Sequence, residues 1–345
     1  MPRTRFSAAF AAVLLLSMQP LAADPAIVTA PSAAVPDQCG GKDMLAEIAT
    51  KEPDAHRKIM DEAAQLENTE AILWKVEKAG VPPSYLFGTI HLPDQRVKAI
   101  SAVAKAAFAK SKTVALEIAN TSEAGMMEAM TKVPELLAYT DGTTLNSQLT
   151  ADEYAKVQKL ITKTGMPGEA ASVIRPWLIS MLLAISDCNK LQMEAGKKAL
   201  DDQLETDAKA NGASVIGLET AEGQLAKMAS VPNDAQILML KSGLAYAHRT
   251  DDMIETLIQM YLTRKIGATM PFQKMLAEKS GVPASAFDSF MKILIDDRNV
   301  KMRDNAKPLF DKGEAFVAVG ALHLPGKNGL VTLLRGAGYT VTAVE

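Results

Sequence analysis

Apolar positions along the chain fall into two patterns: short runs that suit strands, and longer stretches that repeat at helical spacing. Residues 72–78 alternate apolar and polar side chains like a half-buried strand, 80–83 read as a turn, and 84–90 return as an apolar strand. The pair predicts a hairpin. Asp94 then caps a helix over 95–110, and 113–118 is a second apolar run that carries Glu117 near its end. Strand, helix and strand in that order predict a right-handed crossover between parallel strands, with the ends of 84–90 and 113–118 side by side. Residues 214–218 form a third apolar run, followed by Glu219. After Gly313 come another apolar run through Gly320, a glycine-rich turn at Gly326 and Gly329, a short helix over 330–335 and a last strand over 339–344.

The stretches between these runs read as helices. Residues 42–67 are helical with a break at Glu52 and Pro53. Residues 122–212 contain a capping box at Thr150 and Glu153 with Gly165 as the stop, a helix opened by Pro176 and running to Cys188, and a helix over 201–210 stopped by Gly212. Thr220 caps the next segment, and residues 233–306 are helical with breaks at Gly267, Pro271 and Gly281. The fold class is therefore α/β (α+β): a mixed central sheet built from both chain ends, with helical insertions of about 122–212 and 221–312 forming a cap. Residues 42–345 read as a single domain. Methionines between 239 and 302 recur at helical spacing, which fits core packing or a soft substrate groove.

Composition narrows the class of protein. The chain has 345 residues, 48% hydrophobic and 22% charged, with a net charge of −3. That is enough to bury a large core, and no basic stripe marks a nucleic-acid partner. Residues 1–23 have the form of an export signal: Arg3 and Arg5, a short apolar run, then small residues at Leu21-Ala22-Ala23. Residues 24–41 read as a flexible lead-in. No other run is long enough to span a bilayer, so the mature chain is expected to have no transmembrane segment and to be periplasmic or secreted. An oxidising compartment allows the two cysteines, Cys39 and Cys188, to pair, but their spacing leaves both a disulfide and two buried thiols open.

The chemistry gathers at strand ends. Gly88-Thr89-Ile90-His91-Leu92-Pro93 and Gly320-Ala321-Leu322-His323-Leu324-Pro325 repeat one pattern, an apolar strand followed by Gly-x-x-His-Leu-Pro. Of the four histidines, His56 and His248 lie in charged surroundings and read as surface residues. Glu117 and Glu219 follow or end apolar runs, where an ionised carboxylate needs a counter-charge, a metal or hydrogen-bond donors. Two His and a carboxylate suit a divalent transition metal, and a second Glu suits a fourth ligand or a general base. A hydrogen-bonded network without metal accounts for the same four residues. The chain has no His-Glu-x-x-His helix, no Gly-x-Ser-x-Gly elbow and no phosphate-binding loop.

Together with Ala115-Leu116-Glu117, Gly217-Leu218-Glu219-Thr220, Gln224, Asp297-Arg298-Asn299 and Gly338-Tyr339, these motifs resemble the TraB/GumN family, which includes the Tiki proteins and is distantly related to erythromycin-esterase-like and ChaN-like proteins. The resemblance covers roughly residues 38–345. It implies a metal-dependent hydrolase of exported peptides or proteins, with His91, Glu117 and His323 holding a divalent ion (Mn, Co or Zn) and Glu219 activating water. Arg298 is expected either to orient a substrate carbonyl or carboxylate or to form a salt bridge to a buried Glu. Asp201 is expected to be an exposed acid at a helix start rather than a partner for a His. The alternative function is a non-catalytic peptide- or ligand-binding protein of the same fold.

Overall fold

In the computed structural model, which describes residues 35–119 and 123–345, six strands form one sheet. They are β1 Leu73–Glu77, β2 Ser84–Thr89, β3 Thr113–Ile118, β4 Ser214–Glu219, β5 Ala315–Gly320 and β6 Thr340–Ala343. Their spatial order is β4-β3-β5-β2-β1-β6. β1 and β2 are the expected antiparallel hairpin, with Leu73 opposite Phe87. β2, β5, β3 and β4 run parallel, and β6 closes the far edge antiparallel to β1. The sheet is thus mixed and draws on both ends of the chain.

One expectation about neighbours is corrected. β2 and β3 share a direction but do not touch, because β5 lies between them. The reason is burial. All six residues of β5 are buried and none is charged, so it belongs where both faces are covered. This places the two Gly-x-x-His strands side by side, Gly88 opposite Val319 and Thr89 opposite Gly320.

Alternate residues of the strands face two different cores, as a period of two requires. Leu73, Phe87, Leu116 and Phe316 pack with Leu204 and Ile258 from the helices Leu200–Ala210 and Thr250–Leu262. The Phe316 ring lies 5.5 Å from that of Phe87 and 5.3 Å from that of Phe108. On the other face Trp74, Leu86, Ala115 and Val317 pack with Phe310 and Leu334 from the helices Asp297–Lys312 and Leu330–Gly336. A separate core around Leu145, Val157, Ile161, Ile179 and Leu240 holds the helical part together.

Local capping explains where helices start and stop. Thr150 and Glu153 form the capping box read from the sequence, and Thr220 accepts from Gly223 N. The single helix expected over 95–110 is two. Asp94 caps Gln95–Lys98, the chain turns at 99–101, and Ser101 caps Ala102–Ala109. Likewise the helix from Pro176 ends at Leu183, and Ser186 starts another over Asp187–Glu194. A serine that caps competes with continuing the helix. Pro271 makes no break. It sits in the first turn of Thr269–Lys279, where a missing N–H removes no helical hydrogen bond.

Residues 35–41 are fastened to the helical part. Cys39 is disulfide-bonded to Cys188, Gln192 donates to Pro36 O at 3.0 Å, and Lys197 meets Asp37 at 2.8 Å. Among the described residues no helix is long and apolar enough to cross a membrane. The expected export signal at 1–23 and residues 24–34 lie outside the described residues.

Candidate active site

The site forms where β2, β5, β3 and β4 end. His91 follows β2, His323 lies in the single turn after β5, Glu117 is on β3 and Glu219 ends β4. Two glycines make the approach possible, and both act by lacking a side chain, since neither has positive φ. A Cβ on Gly88 would stand 2.7 Å from Leu324 Cδ1 and 3.1 Å from Ala321 Cα, so the turn after β5 packs directly over β2. A Cβ on Gly320 would stand 3.1 Å from Glu117 Oε1 and 3.2 Å from His91 Nε2.

Each imidazole is held at one nitrogen. His91 Nδ1 lies 2.7 Å from Asp201 Oδ2, and Thr89 Oγ1 donates to the other Asp201 oxygen at 2.7 Å. His323 Nδ1 lies 2.6 Å from Asn299 Oδ1, and the same amide donates from Nδ2 to Asn328 O at 2.8 Å, which fixes its oxygen toward the ring. Both Nδ1 atoms therefore carry a proton and donate it, so the proton that each ring gains or loses on titration is the one at Nε2. Those two Nε2 atoms face one oxygen, Glu117 Oε1, at 3.7 Å and 3.6 Å. Gly320 N donates to the same oxygen at 2.6 Å.

Arg298 closes the inner side. Its Nη2 lies 2.5 Å from Glu117 Oε2 and 2.7 Å from Glu219 Oε2, and its Nε donates to Glu219 Oε2 at 2.8 Å. Nη1 donates to Leu294 O at 3.2 Å and approaches His323 Nε2 at 3.4 Å. The π-helical turn Lys292–Asp296 sits just before this arginine. Such wide turns disturb the regular ladder and recur at functional sites. Gln224 Nε2 donates to Glu117 Oε2 at 3.2 Å and more weakly to Glu219 Oε2 at 3.4 Å. Glu219 Oε1 is buried without a hydrogen-bond partner.

These contacts set the charge states. Burial, with Arg298 and His91 nearby, pushes His323 down to about 4 against the pull of Glu117, so this ring is neutral near pH 7. His91 stands at the open cleft, its side chain 57% exposed, yet the surrounding protein atoms still press its pKa down. Asp201 and Glu117 outweigh that pressure and hold it well above the ordinary histidine value. Burial pushes Glu117 up, but His323, His91 and Arg298 prevail and keep it well below the usual carboxylate range.

His91, Glu117, Arg298, Gly320 and His323 line one end of a cleft of about 360 Å³ whose other walls are mostly apolar. Glu219 is not part of its lining. Its side chain is 1% exposed and lies behind Arg298. Of the two roles open to Arg298, the salt bridge to buried Glu is formed, and the guanidinium also reaches the cleft. The expectation for Asp201 is corrected: it is 7% exposed and bonded to His91. Its buried neighbours Leu204, Glu205 and Ala208 show why, since 201, 204, 205 and 208 fall on one helix face. The roles of Thr89, Gln224 and Asn299 had no signal beyond their place in the motifs.

The donor set can be tested against a divalent ion. Tetrahedral bonds of about 2.1 Å would put neighbouring donors roughly 3.4 Å apart. The Nε2 atoms stand 3.7 Å and 3.6 Å from Glu117 Oε1, a few tenths wider, and the missing Cβ of Gly320 leaves the space between them open. Among the described residues no group of three or more His, Cys, Asp or Glu is placed so that it could hold a metal ion. Two imidazoles and a carboxylate are ligand types that a divalent ion takes, and their spacing here is wider than bonded ligands require.

The model of the TraB/PrgY/gumN family matches residues 72–343, and the chain belongs to that family. It is similar to the uncharacterized protein YbaP of Escherichia coli (strain K12), 27% identical over 191 residues that cover 55% of this chain and 68% of YbaP. It is also similar to a metalloprotease TIKI homolog of Nematostella vectensis, 23% identical across 83% of this chain and 69% of that protein. Homo sapiens metalloprotease TIKI1 is 25% identical across 80% of this chain and 62% of its own length. No solved structure matches.

Proposed function

We propose that this protein is an exported metal-dependent hydrolase that cleaves peptide bonds. One observation carries the reading: two imidazoles, each pinned at Nδ1, turn their Nε2 atoms on the same carboxylate oxygen, at 3.7 Å and 3.6 Å. Relatives named metalloproteases support it. His91, His323 and Glu117 would hold the ion, which when bound would polarise a substrate carbonyl and activate water. Asp201 and Asn299 hold both rings at Nδ1, so that Nε2 is the atom each would turn to an ion once it has lost its proton there. Arg298 spends its other N–H groups on Glu117, Glu219 and Leu294, while Nη1, 3.4 Å from His323 Nε2, has one further hydrogen on that side. That hydrogen is free to turn to a substrate oxygen once the His323 lone pair is engaged, where it would stabilise developing negative charge. Glu219 enters the proposal as the anchor of Arg298. With its side chain 1% exposed behind the guanidinium, the water-activating role expected of it has no route to a substrate. Export fits the leader-like 1–23 segment and the Cys39–Cys188 disulfide.

The test is digestion of a peptide library with and without chelator, by the wild type and by H91A/H323A. The proposal expects cleavage that chelator abolishes, metal restores and the double variant lacks. Cleavage indifferent to both chelator and substitution would remove it. The non-catalytic alternative is favoured by one feature, the apolar cleft walls, and predicts peptides retained uncut.

A further inference from the structure

We infer that the cleft beside the two histidines is a subsite for one bulky apolar side chain, so that the peptides handled here carry a large aliphatic or aromatic residue next to the bond at the site. The inference deepens the peptidase reading and rests on it for the word "bond", but the subsite itself stands on separate observations. Leu257, Phe290, Leu294 and Ile295 line the cleft. All four are only partly buried. None of them packs into any of the hydrophobic clusters formed by the described residues. They come from two segments far apart in sequence: the helix Thr250–Leu262 and the continuous helical run made by Ala284–Met291 and the π-helical turn Lys292–Asp296. Apolar side chains on separate elements that converge without packing leave open apolar surface, and a concave surface of that kind is where an apolar ligand group gains most.

Size and position narrow the occupant. The cleft holds about 360 Å³, and His91, Glu117 and His323 are among the residues that line it. That volume has room for the reacting peptide group and one large side chain, not for a folded segment. The π-helical turn serves both ends, since Leu294 and Ile295 line the apolar part while Leu294 O accepts from Arg298 Nη1. A side chain seated against Leu294 therefore lies directly beside the guanidinium that faces the reacting group.

Binding and cleavage are measured separately. Metal-free wild-type protein is titrated with two blocked pentapeptides, Ala-Ala-Leu-Ala-Ala and Ala-Ala-Asp-Ala-Ala, and the metal-loaded protein is profiled on the peptide library. The leucine peptide should bind about tenfold or more tightly than the aspartate peptide, as expected for filling an apolar pocket. L294W should erase that difference and move any cleavage profile toward small residues. Should L294W not fold, F290A is the second variant, with a loss in affinity for the leucine peptide. Equal affinities of the two peptides for the wild type, or a library profile blind to flanking residues, overturns the subsite while leaving the hydrolase reading intact. Selective binding with no cleavage in any metal keeps the subsite and removes the hydrolase.

Discussion

His91 and His323 are held by unlike partners, a carboxylate and an amide, and this difference sets what each ring does. His323, pushed from 6.5 to about 4, is buried neutral. Its contribution to the stability of the metal-free protein is complete above 6.5 and is lost as the pH falls toward about 4. The loss amounts to about 3 kcal/mol. His91 has the opposite sign: its pKa is raised, so its share is complete at low pH and fades as the pH rises through the raised value. Urea unfolding of wild type and H323N should thus show a stability gap that narrows by about 3 kcal/mol between pH 7 and pH 4, and an unchanged gap would contradict a neutral, buried His323. D201N should lower the pKa of His91 in an NMR titration and weaken metal binding by about 10–100-fold. An unmoved pKa would mean that Asp201 does not hold the ring. These partners were only partly legible in the sequence. The glycines and histidines announce themselves by repeating, whereas Asp201 looks like any acid in a first helical turn until its helix is docked on the sheet.

Among elements, β5 decides the site. Hydrophobic runs identify strands well, and the capping box at Thr150 and the Thr220 cap were readable because capping is a matter of a few adjacent residues. Sheet order was not readable in the same way. Parallel neighbours are chosen by which strand needs cover on both faces, a property of the assembled sheet, and so the separation of β2 from β3 by β5 went unread. The close packing of β2 on the turn after β5 gives a direct check. Gly88→Ala forces a methyl to 2.7 Å from Leu324 Cδ1 and 3.1 Å from Ala321 Cα. It should destabilise the protein by about 1–3 kcal/mol, read as a lower denaturation midpoint. Full stability would mean that the turn is not seated on β2.

The whole molecule joins a sheet made from both chain ends to a large helical part. The insertions were legible as helical periodicity and as a cap, but which of their residues would line the cleft was not, because that depends on contacts between segments far apart in sequence. The Cys39–Cys188 disulfide spans 149 residues and ties the N-terminal segment to the helical part. C39S/C188S should lower stability by about 2–5 kcal/mol, and reductant should reproduce the effect in the wild type and leave the variant unchanged. A wild-type midpoint indifferent to reductant would contradict the tie.

Residues from both ends of the chain converge on one group of nitrogen and oxygen donors, and a cobalt titration reads that group without any assumption about substrate. Addition of Co²⁺ to metal-free protein, followed by visible absorption and by metal analysis after desalting, should give one tightly held ion per wild-type chain with a ligand-field spectrum. H91A/H323A, folded by circular dichroism, should hold none. Equal cobalt content in wild type and double variant, or none in either, would contradict the metal site.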